Sequence, residues 1–228
     1  MRKVKKTGLI ICFMGIDGSG KSTLSKYLLK ELRRREYNAS RIWWLECESS
    51  LLRRLLRIIF RFKRPTRSYS NNLKIKDRSR IFRTFYPKII LIDYLKFGII
   101  KVLLPKIVAR KKILILDRFI YDTILALSNE FNYSRLKKIR LLKLYSRLLP
   151  NPDLIFIIEV PPEISYSRKK KEIKSIENTK ELWKNYQEMY SLLPEITSAK
   201  IIKIDNTREI ETVKAEILNN TLEFLGAL

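Results

Sequence analysis

The stretch GIDGSGKST, residues Gly15 to Thr23, decides how the chain folds around it. Its first eight residues match the pattern G-x-x-x-x-G-K-[ST], in which glycines let successive backbone N–H groups curl around a phosphate. The apolar run GLIICFMGI (8–16) leads into the loop and predicts a strand buried on both faces. The segment STLSKYLLKELRRREY (22–37) follows and predicts a helix with leucines at helical spacing. A chance glycine turn would lack this context, so we interpret the stretch as a nucleotide-phosphate site.

The side chains of this loop predict how a nucleotide is held. Lys21 is expected to be exposed and to reach the β- and γ-phosphates of ATP, and the Ser22 hydroxyl is expected to ligate Mg²⁺. Because backbone N–H groups contribute throughout, the expected ATP-binding residues are the whole loop: Gly15, Ile16, Asp17, Gly18, Ser19, Gly20, Lys21, Ser22 and Thr23. The loop alone does not separate a kinase from a motor ATPase.

Strand and helix patterns alternate along the rest of the chain. Further strands are predicted at 40–46, 112–117, 153–160 and 200–205. Further helices are predicted at 49–62, 77–108, 134–149, 162–171, 178–193 and 208–225. This alternation predicts one α/β domain over 1–228, with three layers, a five-stranded parallel sheet and helices on both faces. The stretch 63–76 is predicted to be a mobile loop.

Composition narrows the possible chemistry. The chain has 48 Lys and Arg against 23 Asp and Glu, a net charge of +25, and such a field attracts polyanions. The sequence has no histidine, so acid–base catalysis and metal binding by histidine are excluded. The two cysteines, Cys12 and Cys47, favour a reducing, cytoplasmic location, because Cys12 lies inside the first predicted strand. Charges interrupt every apolar run before it reaches the length of a membrane span.

Three segments together resemble the thymidylate kinase family of nucleoside monophosphate kinases: GIDGSGKST (15–23), ILILDRFIYD (113–122) and PDLIFIIEVPPEISYSRKK (152–170). In that family, a phosphate loop with an extra carboxylate, an Asp-Arg-aromatic triplet and a Pro-Pro-Glu segment before a lid follow one another in this order. The resemblance implies a P-loop NTPase fold with a helical lid. It also implies ATP-dependent phosphorylation of a nucleoside monophosphate, with dTMP to dTDP as the default reaction and Mg²⁺ as the cofactor.

The resemblance assigns roles to individual residues. Asp17 corresponds to the carboxylate that holds the acceptor sugar's 3′-hydroxyl, and Asp117 to the aspartate that positions Mg²⁺ through water. Arg118 corresponds to the arginine between the acceptor phosphate and the transferring γ-phosphate, where positive charge is needed more than a base. Lys21, Asp117 and Arg118 are therefore the expected catalytic residues, and Ser22 and Asp117 the expected metal ligands.

The acceptor side matches the family less well. The family has an Arg-Glu-Pro turn after the second strand, but this chain has WWLECESS (43–50), so another arginine would have to substitute: Arg41, Arg53 or Arg54. Near 89–98, where the family reads thymine, Lys96 is the nearest cation and the nearest rings are Tyr94 and Phe97. Phe119 is either core or a wall of the acceptor site. The predicted acceptor-binding residues are Asp17, Arg118, Phe119 and Lys96.

A lid over about 162–180 is implied by the basic segment SRKKKEIKS (167–175). Gly18 stands where some members of the family carry a loop arginine, so the lid is expected to supply positive charge to ATP. Arg168 is the predicted ATP-binding residue of the lid. The neighbouring lysines are either further candidates or a solvated helix face: Lys169, Lys170, Lys171 and Lys174.

A variable basic helical region spans about 49–110. Within it, LLRRLLRIIFRFKR (51–64) carries one apolar stripe and one arginine stripe at helical spacing. The 49–64 helix could pack on the domain beside a phosphate cleft, or lie on an anionic membrane. Nucleic acid is not an expected partner, because aromatic platforms are not evident. The family implies a homodimer.

Two other functions stay open from the sequence. One is a P-loop kinase for a different phosphorylated acceptor, such as another nucleotide or a lipid head group at an anionic membrane. The other is a non-enzymatic, ATP-responsive nucleic-acid-binding module. The loop lysine and the Asp-Arg pair argue against the second alternative, while the poorly matched acceptor side leaves the first one open.

Overall fold

The five strands form one parallel sheet. In the computed structural model, which describes residues 8–44, 80–108, 112–169 and 175–226, the strand order is β2-β3-β1-β4-β5. The strands are β1 Ile10–Met14, β2 Ala39–Trp43, β3 Ile113–Asp117, β4 Leu154–Glu159 and β5 Lys200–Asp205. All neighbouring strands pair in parallel, so the predicted five-stranded parallel sheet is confirmed.

Helices cover both faces of this sheet. They are α1 Lys21–Arg34, α2 Arg80–Gly98, α3 Leu104–Val108, α4 Ile120–Phe131, α5 Arg135–Leu148, α6 Pro162–Lys169, α7 Ile176–Ile196 and α8 Ile210–Gly226. A π-helical turn, Ile99–Leu103, joins α2 to α3. Buried residues of α1 and α8 pack on one face of the sheet, and those of α2, α4, α5 and α7 pack on the other. The predicted three layers are therefore present.

The central strand explains why the phosphate loop sits deep in the molecule. All five residues of β1 are at most 1% exposed, because the strand is hydrogen-bonded on both sides and covered by both helical layers. The helix that follows the loop buries Leu24, Leu28 and Leu32 against the same sheet. Strand and helix thus fix the two ends of the loop, which is held at the carboxyl edge of the sheet.

The sequence patterns missed α4. Its residues include Ile120, Tyr121, Asp122, Thr123 and Ile124, all of which are at most 3% exposed. The apolar residues of α4 nevertheless recur at helical spacing, at Ile120, Ile124 and Leu127, so the pattern was available and was overlooked beside the Asp-Arg motif. The prediction that 77–108 is one helical stretch was right in type, but the chain is divided by the π-helical turn.

Some predictions fall on residues outside the described ranges. The predicted helix at 49–62 and loop at 63–76 lie there, as do Lys170, Lys171 and Lys174 of the lid. The extent of the single domain over 1–228 and of the lid over about 162–180 therefore stay predictions. Among the helices that the structure describes, none is both long and apolar enough to cross a membrane.

Candidate active site

The candidate site lies where the strands of the parallel sheet end. The loop Gly15 to Thr23 follows β1, Asp117 is the last residue of β3, and Arg118 comes directly after it. Because parallel strands share one carboxyl edge, groups that are about 100 residues apart in sequence meet there. The structure thus brings together the predicted loop and the predicted Asp-Arg pair.

Two glycines of the loop are required by its surroundings. Gly20 has a φ of +96°, and a Cβ atom there would lie 2.4 Å from the side-chain nitrogen of Asn206. Gly18 has a φ of +84°, and a Cβ atom there would lie 2.6 Å from the backbone oxygen of Ser165 on α6. An arginine at position 18 would therefore be strained and would collide with α6, so the loop cannot carry that charge in this arrangement.

Lys21 is buried, contrary to the expectation that it lies exposed. It is 4% exposed, and its ammonium donates to the backbone oxygen of Ile16 at 2.5 Å. A longer contact joins its Nζ to the Ser19 hydroxyl at 3.4 Å. Burial, and next the nearby Arg118 guanidinium, lower the pKa of Lys21 to about 8. The ammonium is thus held over the loop, where phosphate oxygens would replace its backbone partner.

The carboxylate of Asp117 is buried and has a hydrogen-bond partner at only one of its two oxygens among the described residues. Its side chain is fully buried, and one carboxylate oxygen, Oδ2, pairs with the Arg41 guanidinium. Arg41 also donates through Nε to the Ser25 hydroxyl at 2.9 Å. The other oxygen, Oδ1, has no hydrogen-bond partner among the described residues, which is costly for a buried carboxylate.

This orphaned oxygen fits Mg²⁺. Magnesium is commonly bound by one or two protein oxygens together with nucleotide phosphates and water, instead of a full protein cage. Among the described residues, no group of three acidic or cysteine side chains could enclose a metal ion. Ser22, the other expected ligand, lies exposed in the first turn of α1.

Arg118 is held by a buried network that the sequence only partly predicts. Its backbone has a φ of +71°, a left-handed conformation that is uncommon for residues other than glycine. Its Nη2 contacts Asp17, while Nη1 contacts Asp122 at 3.3 Å and the Tyr186 hydroxyl at 3.1 Å. Asp122 also accepts a hydrogen bond from the backbone N–H of Phe119 at 3.1 Å. The arginine is therefore restrained at both its backbone and its guanidinium.

Asp17 stays ionised in this network. Burial raises the pKa of Asp17, but the Arg118 guanidinium and Lys21 together outweigh that effect, so the pKa lies below its ordinary value. The Asp17 carboxylate and the Arg118 guanidinium form an ion pair with each other in this structure. Both would have to change partners before either could bind an acceptor.

The first lid helix, α6, packs directly on the loop. The Ser165 hydroxyl donates to the backbone oxygen of Asp17, and Lys169 lies near enough to help lower the pKa of that carboxyl. Arg168 donates to the backbone oxygen of Asn206 at 3.0 Å. The Asn206 side chain in turn donates to the backbone oxygen of Ser19 at 2.7 Å. Arg168 is thus joined to the loop through the turn that follows β5.

The acceptor-side predictions fare unevenly. Phe119 is 2% exposed and packs edge-on against Trp44, with ring centroids 4.8 Å apart, so it is part of the core. Tyr94 of α2 stacks on Trp44, with ring centroids 5.6 Å apart. Lys96 is exposed, and since it lies two residues beyond the buried Tyr94, it projects from a different part of the helix. Its role in acceptor binding stays a prediction.

Four residues of the site were missed by sequence reasoning: Arg41 at Asp117, Asp122 and Tyr186 at Arg118, and Asn206 at the loop. Arg41 was considered only as a substitute for the missing acceptor-phosphate arginine, but it lies against Asp117. Asp122 carried a signal, since it follows Phe119 by three residues at the start of a helix, a position from which a carboxylate can reach the N-cap N–H. No pattern in the sequence pointed to Tyr186.

Comparison with known proteins agrees with this geometry. The thymidylate kinase family model matches residues 96–217. A thymidylate kinase of Orientia tsutsugamushi (strain Ikeda) is 29% identical over 225 residues, which cover 93% of this chain and 92% of the relative. A probable thymidylate kinase of Methanocaldococcus jannaschii is 27% identical over 213 residues, which cover 92% of this chain and 94% of the relative.

The matched segment and the loop complement each other. The family model begins after the phosphate loop and includes the Asp-Arg pair, the lid segment and β5. The loop itself is identified by its own pattern and by the strand and helix around it. Together, the fold, the loop and a family match over more than half of the sequence lead to one assignment. The chain belongs to the thymidylate kinase family of nucleoside monophosphate kinases.

Proposed function

We propose that the protein transfers the γ-phosphoryl group of ATP to dTMP, giving ADP and dTDP. The observation that carries the proposal is the meeting of Lys21, Asp117, Arg118 and Asp17 at the carboxyl edge of the sheet. Family membership favours this reaction over a kinase for a lipid head group and over a non-enzymatic binding module. Neither alternative receives support from the comparisons.

The donor end of the reaction uses the loop. Backbone N–H groups between Gly15 and Thr23 would hold the β- and γ-phosphates, and Lys21 would exchange its contact with the Ile16 oxygen for phosphate oxygens. Ser22 and Asp117 would hold Mg²⁺, whose positive charge, when bound, offsets charge on the β- and γ-phosphates. The free Oδ1 of Asp117 supports this assignment.

The acceptor end of the reaction uses Asp17 and Arg118. Their present contact would open when dTMP binds, so that Asp17 accepts from the 3′-hydroxyl and Arg118 Nη2 donates to phosphate oxygens. A phosphate oxygen of dTMP then attacks the γ-phosphorus in line, and the bond from that phosphorus to the bridging oxygen of ADP breaks. The attacking phosphate is already ionised near neutral pH, so no protein group needs to remove a proton. This is consistent with a chain that lacks histidine.

The lid would complete the donor site. Arg168 and Lys169 are the basic residues of α6, and they approach the loop through Asn206 and Asp17 respectively. Gly18 leaves room for α6 but supplies no charge, so positive charge from α6 is the available substitute. We assign Arg168 to ATP binding on this basis.

The experiment that tests the proposal is a panel of nucleoside monophosphates assayed for ADP release with Mg-ATP. We expect dTMP to give the highest kcat/KM and the Lys21→Ala variant to lose kcat with dTMP on the order of 10²-fold. A different preferred nucleotide would contradict the acceptor assignment, and ADP release without any acceptor would contradict the kinase assignment.

Two partner proposals accompany this function. A homodimer is supported by exposed apolar side chains on α2 and α3, among them Ile92, Ile107 and Val108, and light scattering after size exclusion tests it. Contact of 49–64 with anionic membrane rests on the sequence pattern alone, because these residues lie outside the described ranges. Equal binding of the protein to neutral and anionic vesicles would contradict the membrane proposal.

A cytoplasmic location, proposed from the cysteine content, can be checked by fractionation.

A further inference from the structure

We propose that Asp122 and Tyr186 are positioning residues that keep Nη1 of Arg118 fixed while Nη2 exchanges from Asp17 to phosphate. The inference rests on the proposed function, since it concerns the arginine that would contact the transferring phosphoryl group. It goes further by assigning the two terminal nitrogens of one guanidinium to different tasks. Nη1 is the anchored nitrogen, and Nη2 is the exchanging one.

Asp122 provides the first anchor. It lies in the first turn of α4 and is 3% exposed. Its Oδ2 accepts from the backbone N–H of Phe119 at 3.1 Å, and its Oδ1 faces Arg118 Nη1 at 3.3 Å. The carboxylate is thus fixed to the residue that directly follows the arginine. It holds both the left-handed backbone of Arg118 and the direction of its side chain.

Tyr186 provides the second anchor, from a distant part of the chain. It lies on α7, is 3% exposed, and its hydroxyl is 2.6 Å from Asp122 Oδ1 and 3.1 Å from Arg118 Nη1. Burial, and then the Asp122 carboxylate, raise the pKa of Tyr186 well above its ordinary value, so the hydroxyl stays protonated. It donates its proton to Asp122 and accepts from the guanidinium. One hydroxyl therefore closes a ring of three buried groups.

The partner of Nη2 differs in kind from these anchors. Asp17 belongs to the phosphate loop, its side chain is 18% exposed, and it is the group proposed to receive the acceptor's 3′-hydroxyl. Asp122 and Tyr186 are buried more deeply, and each has a second partner within the ring or the backbone. A guanidinium whose Nη1 keeps its contacts with Asp122 and Tyr186 can rotate little when Asp17 leaves Nη2. This is the preorganisation that a transition-state contact requires.

The position of Tyr186 also connects Arg118 to the lid. Helix α7 begins at Ile176, directly after the basic segment 167–175, and Lys180 of α7 pairs with Glu163 of α6 at 3.4 Å. The same α6 presents Ser165 to the loop. A single helix therefore contacts both the first lid helix and the arginine.

The test removes the hydroxyl of Tyr186 and keeps its aromatic ring. In Tyr186→Phe we expect kcat to fall about tenfold, as is usual for a lost hydrogen bond to a charged group, while the Kd of ATP stays within about twofold. The matched control is Tyr190→Phe, since Tyr190 is buried on the same helix with its ring 5.8 Å from that of Tyr186. The control should keep kcat within about twofold of the wild type.

A double-mutant cycle separates positioning from general packing. If Tyr186 acts through the guanidinium, Tyr186→Phe should change kcat by less than about twofold once Arg118→Ala is present. An equal loss in both backgrounds, or a parallel loss of ATP binding and rate, would overturn the inference, as would an unchanged kcat in Tyr186→Phe. A wild type that does not phosphorylate dTMP would overturn the proposed function and this inference with it. An active wild type with an insensitive Tyr186→Phe variant would overturn the inference alone.

Discussion

The phosphate loop and the aromatic cluster around Trp44 lie at the same edge of the sheet but are built in different ways. The loop depends on backbone: Gly18 and Gly20 adopt left-handed conformations, and neighbouring side chains of Ser165 and Asn206 bind loop carbonyl oxygens. The cluster depends on side chains: Trp44 packs against the rings of Tyr94 and Phe119, and its indole nitrogen donates to Thr123 at 3.2 Å.

This difference explains why the phosphate loop can be predicted from the sequence and the aromatic cluster cannot. Binding through backbone N–H groups requires glycines at fixed spacing, and that spacing survives as a pattern. The aromatic cluster is assembled from Trp44 after β2, Tyr94 on α2 and Phe119 before α4, and it has no fixed spacing because the fold brings these side chains together from separate segments. A site built from backbone is therefore encoded locally, whereas a cluster built from side chains is encoded by packing.

The largest effect is expected where the two regions meet, at Arg118. Arg118→Ala should lower kcat by roughly 10³-fold, because its charge is needed when acceptor and γ-phosphate approach each other. The Kd of ATP should change far less, since the loop holds ATP. Arg118→Lys should restore only part of the rate, because lysine offers a point charge instead of a planar fork. Turnover assays measure kcat, and a titration with ATP measures its Kd. Equal losses in ATP binding and rate would place Arg118 in the donor site.

A smaller loss of rate is expected at Lys21, on the donor side. Lys21→Ala should lower kcat on the order of 10²-fold, because a charged contact with the transferring phosphoryl group is lost. The fold should remain intact, since burial already disfavours the ammonium and lowers its pKa to about 8. Turnover and circular dichroism of the same sample test this. A rate within a few-fold of wild type would mean that the loop does not act in catalysis.

Arg41 should reveal the cation dependence of Asp117. Arg41→Met leaves a buried carboxylate without its partner, and we expect the free energy of unfolding to fall by about 2 kcal/mol, less than for a fully buried pair because Arg41 is 17% exposed. Mg-ATP should recover part of this loss, because a ligand that binds only the folded state stabilises it. Thermal melts with and without Mg-ATP measure the effect. The matched control, Arg208→Met, breaks an exposed pair with Glu216 and should shift stability little.

Gly18→Ala tests the contact between loop and lid helix. The added methyl group meets the Ser165 backbone oxygen in a left-handed conformation, so we expect a loss of about 1 to 2 kcal/mol in the free energy of unfolding. Chemical denaturation gives the value. An unchanged midpoint would indicate that α6 does not lie on the loop in solution.

The smallest effect is expected from the basic segment 49–64. The segment follows the second strand in the sequence, and we expect it to lie on the acceptor side, so reversing the charge of Arg57 and Arg61 should leave the Kd of ATP unchanged within about twofold. Isothermal titration with ATP measures this directly. A marked loss of ATP affinity would bring the segment into the donor site and break the division between the two regions.

The outcome of the sequence predictions follows the same division. The sheet, the loop and the placement of Asp117 and Arg118 were predictable, because buried strands, glycine spacing and a strand-ending Asp-Arg pair are local patterns. Helix α4 was missed although its apolar residues recur at helical spacing, because that segment was interpreted only as part of the Asp-Arg motif, and Lys21 was expected to be exposed although it is buried. Tyr186 could not have been predicted, since it reaches Arg118 across 68 positions of sequence and only tertiary packing joins them.

The central claim is that Arg118 serves phosphoryl transfer from loop-bound ATP to dTMP. The most direct measurement is a single turnover of ATP labelled at the γ-phosphate, in excess enzyme with dTMP, followed by separation of the products. We expect the label to enter dTDP in the wild type, and Arg118→Ala to slow this transfer steeply with ATP still bound. Label released only as inorganic phosphate, or transfer to dTDP at the wild-type rate in Arg118→Ala, would contradict it.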